Sequence, residues 1–248
     1  MKTTRTKTIH KRINTGHLIV HLALLAGIVV VVFPFLWMLL TSFKTTGESL
    51  KIPPTFFPEK WTLEAYKTIT SSTIPFGTVY LNTILSAVIT TVVQIVFCSM
   101  AGYAFARIEF PFKNFIFVLL LSVLMVPGQI FLLPQYQLIQ KMGLLNTIPA
   151  LFLPNLFSAF GTFLLRQFFM SMPQELEDAA IVDGCNRFQI FGRIMVPLIQ
   201  PGIAALTIFT FKFAWNDFMW PLIVNNSMDK LILGPAPVSY THLRAHEP

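Results

Sequence analysis

Long apolar stretches separated by shorter polar segments dominate the pattern along this chain. About 20 helical residues, each rising 1.5 Å, cross the roughly 30 Å hydrocarbon layer of a membrane. Five stretches meet that test, and they predict transmembrane helices at about 18–43, 80–105, 114–133, 148–165 and 201–224. The pattern therefore predicts an all-α polytopic membrane protein.

Composition agrees with this fold class. Hydrophobic residues make up 54% of the chain, charged residues make up 12%, and the mean hydropathy is +0.65. Soluble domains hold about 45–50% and 25% of these residue types. A signal peptide would have an apolar core of only about 7–15 residues, so the first stretch is interpreted as a retained span. Cys98, within a span, and Cys185, in a polar segment, are interpreted as free thiols.

Basic residues before the first span predict its orientation. The first 16 residues hold five basic residues and no acidic one, which places the N-terminal segment 1–17 in the cytoplasm. Alternation of the spans then places the polar segment 166–200 in the cytoplasm as well. We ascribe the net charge of +7 to this arrangement and not to nucleic-acid binding, because much of the excess lies beside apolar spans.

The segment from Ser171 to Pro201 is the longest polar interruption between two strongly apolar segments in the second half of the chain. Ser171 and Gln174 have the spacing of a capping box, which predicts the start of a helix. The helix is expected to end at Gly184, because glycine adopts the left-handed C-cap conformation without a Cβ clash. Its small, mostly apolar face is predicted at Leu176, Ala179, Ala180 and Asp183, and its charged remainder at Glu175, Glu177 and Asp178.

A second short amphipathic helix is predicted after Gly184. Phe188, Phe191 and Met195 share one face, and Pro197 closes the segment before the next apolar stretch. Two short amphipathic helices between spans fit a solvated connecting loop as readily as a docking element, so the pattern alone leaves both readings open.

The same segment resembles the EAA motif of ABC importer membrane subunits, written E-A-A-x3-G-x9-I-x-L-P in that family. The departures are aspartate in place of the first glutamate and Val196 in place of leucine, and both keep the chemistry. Because the motif fixes residue types over about twenty positions, the resemblance is specific. The matching residues are Asp178, Ala179, Ala180, Gly184, Ile194 and Pro197.

Three flanking segments, at 163–169, 181–184 and 215–224, resemble the carbohydrate-uptake branch of this family, which includes the maltose-system permease. The resemblance covers about 18–232 and implies the fold of an ABC importer type I permease. It also implies a sixth span after Ile232. We therefore expect the chain to carry five of the spans, with 233–248 a non-native or truncated tail.

The resemblance also implies a mechanism and a set of partners. This chain would pair with a second permease, two cytoplasmic ATPase subunits and an extracytoplasmic solute-binding protein in a bacterial or archaeal cell (inner) membrane. ATP and Mg would be bound by the ATPase, with no cofactor on this chain, and the sequence has no Walker A pattern. The implied ATPase-coupling residues are Glu177, Asp178, Ala179, Ala180, Asp183, Gly184, Ile194 and Pro197.

Polar residues within the spans are the candidates for a substrate pathway, because a charge at the membrane centre costs a few kcal/mol and usually faces a cavity or a partner. An interfacial position for Asp217 is an equally open reading, whereas for Asn82, Gln94 and Asn155 hydrogen bonds between helices are favoured over substrate contact. A permease for another small solute, a secondary transporter or a channel are the alternatives for the whole chain. The pathway candidates are Asn82, Asn155, Lys212, Asn216 and Asp217.

Overall fold

The structure is a computed structural model that describes residues 15–71 and 75–237. The chain divides into two compact units, residues 1–72 and 73–248. Among the described residues the regular secondary structure is helical. The helices of the first unit are α1 (Thr15–Ser42), α2 (Thr46–Ser49) and α3 (Glu64–Ser71).

In the first unit, α1 is an apolar helix with most of its surface exposed, although Phe33 and Trp37 near its end contact Phe56. The window that makes Ile19–Ser42 a candidate span has none of its residues buried within the chain. Apolar surface on all sides of a helix requires lipid or another apolar surface around it.

The segment that follows α1 is organised by buried polar groups. The carboxylate of Glu48 accepts hydrogen bonds from the backbone N–H of Glu59 and the hydroxyl of Thr55, both at 2.8 Å. The bond from the Glu59 amide is the main reason that the pKa of Glu48 is lowered. Lys44 donates to the carbonyl of Thr55 and lies 5.0 Å from the ring centroid of Trp37.

The second unit is built around one long helix, α4. Its remaining helices are shorter, and several are joined by single turns of 3-10 helix. The helices are α4 (Phe76–Arg107), α5 (Lys113–Ser122), α6 (Leu132–Lys141), α7 (Ile148–Phe152), α8 (Ala159–Met170), α9 (Glu175–Val182), α10 (Arg187–Gln189), α11 (Val196–Leu198), α12 (Gln200–Trp215) and α13 (Met219–Val224).

Close backbone approach holds α4 against α8, and α12 packs on both. A Cβ atom at Gly102 would lie 3.0 Å from the backbone nitrogen of Arg166, and one at Gly161 would lie 2.9 Å from Sγ of Cys98. Small residues at these positions permit the helices to approach this closely. The buried core beside them includes Leu165, Phe169 and Leu206.

The stretch predicted as a span at 114–133 is bent. Residues Lys113–Met125 and Gly128–Lys141 meet at 100°. Pro127 has no backbone N–H and disfavours helical backbone at the residue before it, and Val126 is extended with ψ of 126°. Pro127 and Gly128 predict from sequence that the helix kinks or ends here, and the structure confirms it.

The last two predicted spans are also divided. Ile148–Asn155 and Ala159–Met170 form a pair bent by 48°. Residues 201–224 form two helices, because α12 ends at Trp215, where the Asn216 side chain donates to the carbonyl of Lys212 at 2.8 Å. In the described part of the chain two helices are long and apolar enough to cross a membrane, or up to five if each bent pair is one span. Five spans therefore stay a prediction.

Candidate functional site

The predicted turn at Gly184 is present. Its φ is +82°, and the backbone N–H groups of Gly184 and Cys185 donate to the carbonyls of Ile181 and Ala180 at 3.0 and 2.9 Å. These bonds satisfy carbonyls that the end of α9 would otherwise leave free. A side chain at this φ would be strained, so the turn depends on glycine.

The predicted capping box at Ser171 is wrong. The Ser171 hydroxyl donates to the carbonyl of Phe168 at 2.8 Å and so belongs to the end of α8, while Gln174 makes no side-chain cap bond to α9. A capping box forms instead between Asn186 and Gln189, with reciprocal bonds of 2.8 and 2.9 Å at the start of α10. The sequence analysis missed this pair, although its three-residue spacing is the same.

The buried side of α9 differs from the predicted face. Ala180 is buried as expected, but Leu176, Ala179 and Asp183 are exposed, and Glu177 is buried beside Ala180. Glu177 therefore does not belong to a solvated charged face. The physical reason is a cationic partner on α4, which helical periodicity within 171–184 cannot reveal.

That partner is Arg107, the last residue of α4. Its Nε lies 3.2 Å from Oε1 of Glu177, and the two side chains are only 10% and 6% exposed. The second carboxylate oxygen of Glu177 lies 3.4 Å from the hydroxyl of Tyr103. Nη2 of Arg107 donates to the carbonyls of Phe169 and Met172 at 2.8 and 2.5 Å, so one guanidinium joins α4, the end of α8 and α9.

The second half of the loop is anchored by apolar packing. The ring of Phe191 lies 5.3 Å from that of Tyr103, and Ile190 and Met195 are fully buried. A second short helix is predicted here, and residues Ile190–Met195 within it form a π-helix. Pro197 cannot donate a hydrogen bond to the preceding turn, and the widened helix directly before it accommodates this loss. Of the predicted coupling residues here, Ile194 is partly buried and Pro197 is exposed.

The loop leaves four apolar side chains exposed, and these four are here together called the docking face. The exposed acidic residues Glu175, Asp178 and Asp183 belong to the same loop. A polar cavity of about 410 Å³ adjoins it, with Glu109, Asp178 and Arg187 in its wall. An exposed apolar patch with a polar rim is typical of a protein interaction site. The docking face comprises Leu176, Ile181, Val182 and Phe188, which are 40%, 51%, 86% and 81% exposed.

The predicted pathway residues do not form one cluster. Asn82 is buried and donates to the carbonyls of Asp229 and Leu231 at 2.8 and 3.1 Å, so it holds the connection after α13. Lys212 and Asn216 are exposed. Asn155 and Asp217 are brought together, because both line a narrow space beside α4.

The interhelical bond expected for Gln94 is confirmed. Its Nε2 donates to the carbonyl of Asn155 at 2.8 Å, and its Oε1 accepts from the hydroxyl of Thr210 at 2.5 Å. This bond satisfies a carbonyl at the bend between α7 and α8. Sequence analysis missed Thr210, Arg107 and Tyr103, since their importance depends on residues far away in the chain.

Known proteins are similar to this chain in sequence and in fold. Residues 94–236 match the family described as "Binding-protein-dependent transport system inner membrane component". The chain is 37% identical to the arabinooligosaccharides transport system permease protein of Halalkalibacterium halodurans, over 82% of this chain and 74% of that protein. It is 34% identical to the diacetylchitobiose uptake system permease protein of Streptomyces coelicolor, over 92% of this chain and 75% of that protein.

A third similar permease is named for a different kind of solute, and a solved structure has a similar fold. A permease protein of the sn-glycerol-3-phosphate transport system of Rhizobium meliloti is 33% identical, over 88% of this chain and 80% of that protein. The crystal structure of a bacterial ABC transporter involved in the import of the acidic polysaccharide alginate aligns with a TM-score of 0.80 at 20% identity, over 99% of this chain and 85% of that chain. That likeness shows the fold of an ABC importer permease.

The chain belongs to the family of binding-protein-dependent ABC importer permeases. It is the membrane-spanning subunit and not the ATPase, since in this class a separate subunit hydrolyses ATP. Family membership confirms the predicted class and decides against a secondary transporter or a channel.

Proposed function

We propose that this chain is the permease subunit of a carbohydrate importer, in which the loop 166–200 receives the movement of an ATPase subunit. The observation that carries the proposal is the exposed docking face on a loop that is fixed to α4 by the buried Arg107–Glu177 pair. Two similar permeases are named for arabinooligosaccharides and diacetylchitobiose. The relative named for sn-glycerol-3-phosphate supports another small solute as the second candidate.

Coupling follows from the two sides of α9. Its exposed apolar groups are available to a partner, and its buried Glu177 joins it to the end of α4. A displacement of the docking face therefore acts on α4 directly. Gly184 sets the angle between α9 and the helical segment after it, and Ile194 and Pro197 continue that segment into the start of α12.

The partners proposed are a second permease, two ATPase subunits that bind ATP and Mg, and an extracytoplasmic solute-binding protein. The exposed apolar surface of α1 supports contact with the lipid bilayer or with another membrane subunit. The proposed orientation has a cytoplasmic N-terminus, which places the docking face where an ATPase can reach it. Asn155 and Asp217 remain the proposed pathway residues that lie together.

Co-purification followed by transport tests this function. The full chain, expressed with its importer partners and purified in detergent, is expected to retain an ATPase subunit in stoichiometric amount. After reconstitution into liposomes with the solute-binding protein, ATP inside and solute outside should give uptake that stops when ATP is omitted. Purification without an ATPase, together with uptake driven by an ion gradient, would contradict the proposal.

A further inference from the structure

A second cavity, distinct from the one beside the coupling loop, lies about half way along α4. Its volume is about 410 Å³, and its walls come from α4, the bend between α7 and α8, and α12. Gln94 is part of this wall, with Asn155 at the bend and Thr210 on the facing helix. The neutral side chains of these residues are already positioned by the bonds between them.

The polar groups in this wall carry no charge. They are amides and hydroxyls, and the side chains of Gln94 and Thr210 belong to residues that are only 8% and 5% exposed. Gln94 keeps one amide hydrogen and one acceptor position on Oε1 for a ligand, because its two observed bonds use only half of its capacity. An anion that entered this cavity would lose its bound water and would find no cation in the wall to compensate, so its binding would be costly in free energy.

The remaining wall is largely aromatic. Four phenylalanine rings in this wall are partly exposed, so they are available for contact with a ligand. They are Phe157, Phe160, Phe209 and Phe213, which are 47%, 41%, 57% and 63% exposed. The rings of Phe160 and Phe209 meet edge to face at 5.9 Å. A mainly apolar wall with a few oriented neutral donors and acceptors is suited to a ligand that has both C–H faces and hydroxyl groups.

From this geometry we infer that the cavity between α4, α8 and α12 is a binding subsite for a neutral saccharide and discriminates against acidic solutes. The inference rests on the proposed function, since it supposes that the chain transports a solute. Beyond that function, it assigns a binding site to this subunit, and this site favours neutral sugars over sugar acids and phosphate esters. The aromatic rings would contact the C–H faces of the sugar, and Gln94 would hydrogen-bond to a hydroxyl.

Protection of an introduced cysteine tests the subsite in the assembled importer. Phe209→Cys lies in the wall, and Phe211→Cys is the matched control on the same helix, where the Phe211 ring stacks on Trp215 at 5.6 Å. Labelling by a small thiol reagent is measured by mass spectrometry, which separates these positions from Cys98 and Cys185. The probes are an arabinooligosaccharide, diacetylchitobiose, sn-glycerol-3-phosphate and an alginate oligosaccharide.

We expect at least one neutral sugar, at about ten times its Kd, to slow labelling of position 209 about tenfold, because only about a tenth of the sites stay empty. Position 211 should be labelled at an unchanged rate, and the two acidic solutes should protect neither position. If Phe209→Cys prevents assembly, Phe213→Cys provides the same readout from the same wall.

Three outcomes overturn the inference without touching the proposed function. Protection by none of the four probes removes the subsite, and protection by an acidic solute removes the neutral assignment. A position 209 that stays unlabelled in the assembled complex with and without sugar means that another helix or lipid fills the cavity. The proposed function fails separately, through loss of the ATPase partner or of ATP-driven uptake.

Discussion

Nε of Arg107 lies 3.2 Å from Oε1 of Glu177, and both side chains are at least nine-tenths buried. The pair connects the candidate coupling loop to the last residue of α4. With 32 residues, each rising 1.5 Å, α4 is about 48 Å long. In the proposed coupling, a displacement at α9 would act on the same helix that holds Gln94 in its middle and Asn82 near its start.

Removing one member of this pair is expected to destabilise the protein strongly. Glu177→Ala leaves the buried guanidinium of Arg107 without its carboxylate, and such a loss costs about 3–5 kcal/mol. The double variant Arg107→Met with Glu177→Leu removes both charges and should recover part of the loss, since the carbonyls of Phe169 and Met172 still lose their donor. Thermal unfolding of the detergent-purified chain measures both effects.

An exposed pair supplies the control for this experiment. Lys51 and Glu59 are 2.6 Å apart with side chains 52% and 56% exposed, and exposed pairs contribute about 0–1 kcal/mol. Glu59→Ala should therefore change the unfolding temperature little. An equal loss for Glu59→Ala and Glu177→Ala would show that the buried pair does not hold the loop.

Gly184→Val is expected to separate coupling from insertion. Valine at φ of +82° is strained at a cost on the order of 1–2 kcal/mol, which shifts α9 relative to α10 but leaves the distant spans unaffected. The variant should reach the membrane at near-normal levels and lose ATP-driven uptake. Gly192→Val is the control, because Gly192 has ordinary φ and open space at its Cβ position. Equal uptake by the two variants would mean that the turn is only a connector.

Asp178→Lys is expected to weaken binding of the ATPase. Asp178 is exposed on the loop that carries the docking face, and a like-charge contact across an interface can cost several kcal/mol. The variant should assemble in the membrane but recover less ATPase on purification and show less uptake. Glu64→Lys, a charge reversal at the exposed start of α3, should leave both unchanged. Full ATPase recovery with Asp178→Lys would remove this residue from the interface.

The local features of the coupling loop were largely predictable from sequence. The need for positive φ at Gly184 follows from residue chemistry alone, and the structure agrees. The burial of Glu177 was not predictable from periodicity, because Arg107 is supplied by a helix 70 positions earlier in the chain. The spacing predicts a capping box at Ser171, but serine fits both the start of one helix and the end of another, and only the fold shows which carbonyl its hydroxyl reaches.

The helices were predictable in position but only partly in shape. Hydropathy detects α1 and α4, whose apolar runs are continuous. Pro127 and Gly128 predict the bend in the third stretch, whereas hydropathy averages over the break at Asn216, because that break does not change the mean hydropathy of its window. The pairing of Gln94 with Thr210 depends on how α4 and α12 pack, which a single sequence without homologous sequences does not specify.

The orientation of the chain gives the last prediction. Phe188 is 81% exposed on the docking face, and Ile52 is 93% exposed in the segment after α1. The positive-inside rule places 166–200 in the cytoplasm and the segment after the first span outside. In a variant with Cys98 and Cys185 replaced by serine, a membrane-impermeant thiol reagent should therefore label Ile52→Cys in intact cells and leave Phe188→Cys unlabelled.

In permeabilised cells that express the chain without its ATPase partner, both cysteines should be labelled at similar rates, because both positions are highly exposed on the chain alone. With that control, failure to label Phe188→Cys in intact cells means that the position lies on the cytoplasmic side of the membrane, and not that the side chain is buried. Labelling of Phe188→Cys in intact cells would reverse the orientation and place the docking face outside, where no ATP is available to a partner. The Arg107–Glu177 pair would then remain a structural anchor, but the loop it holds could not receive movement from a cytoplasmic ATPase.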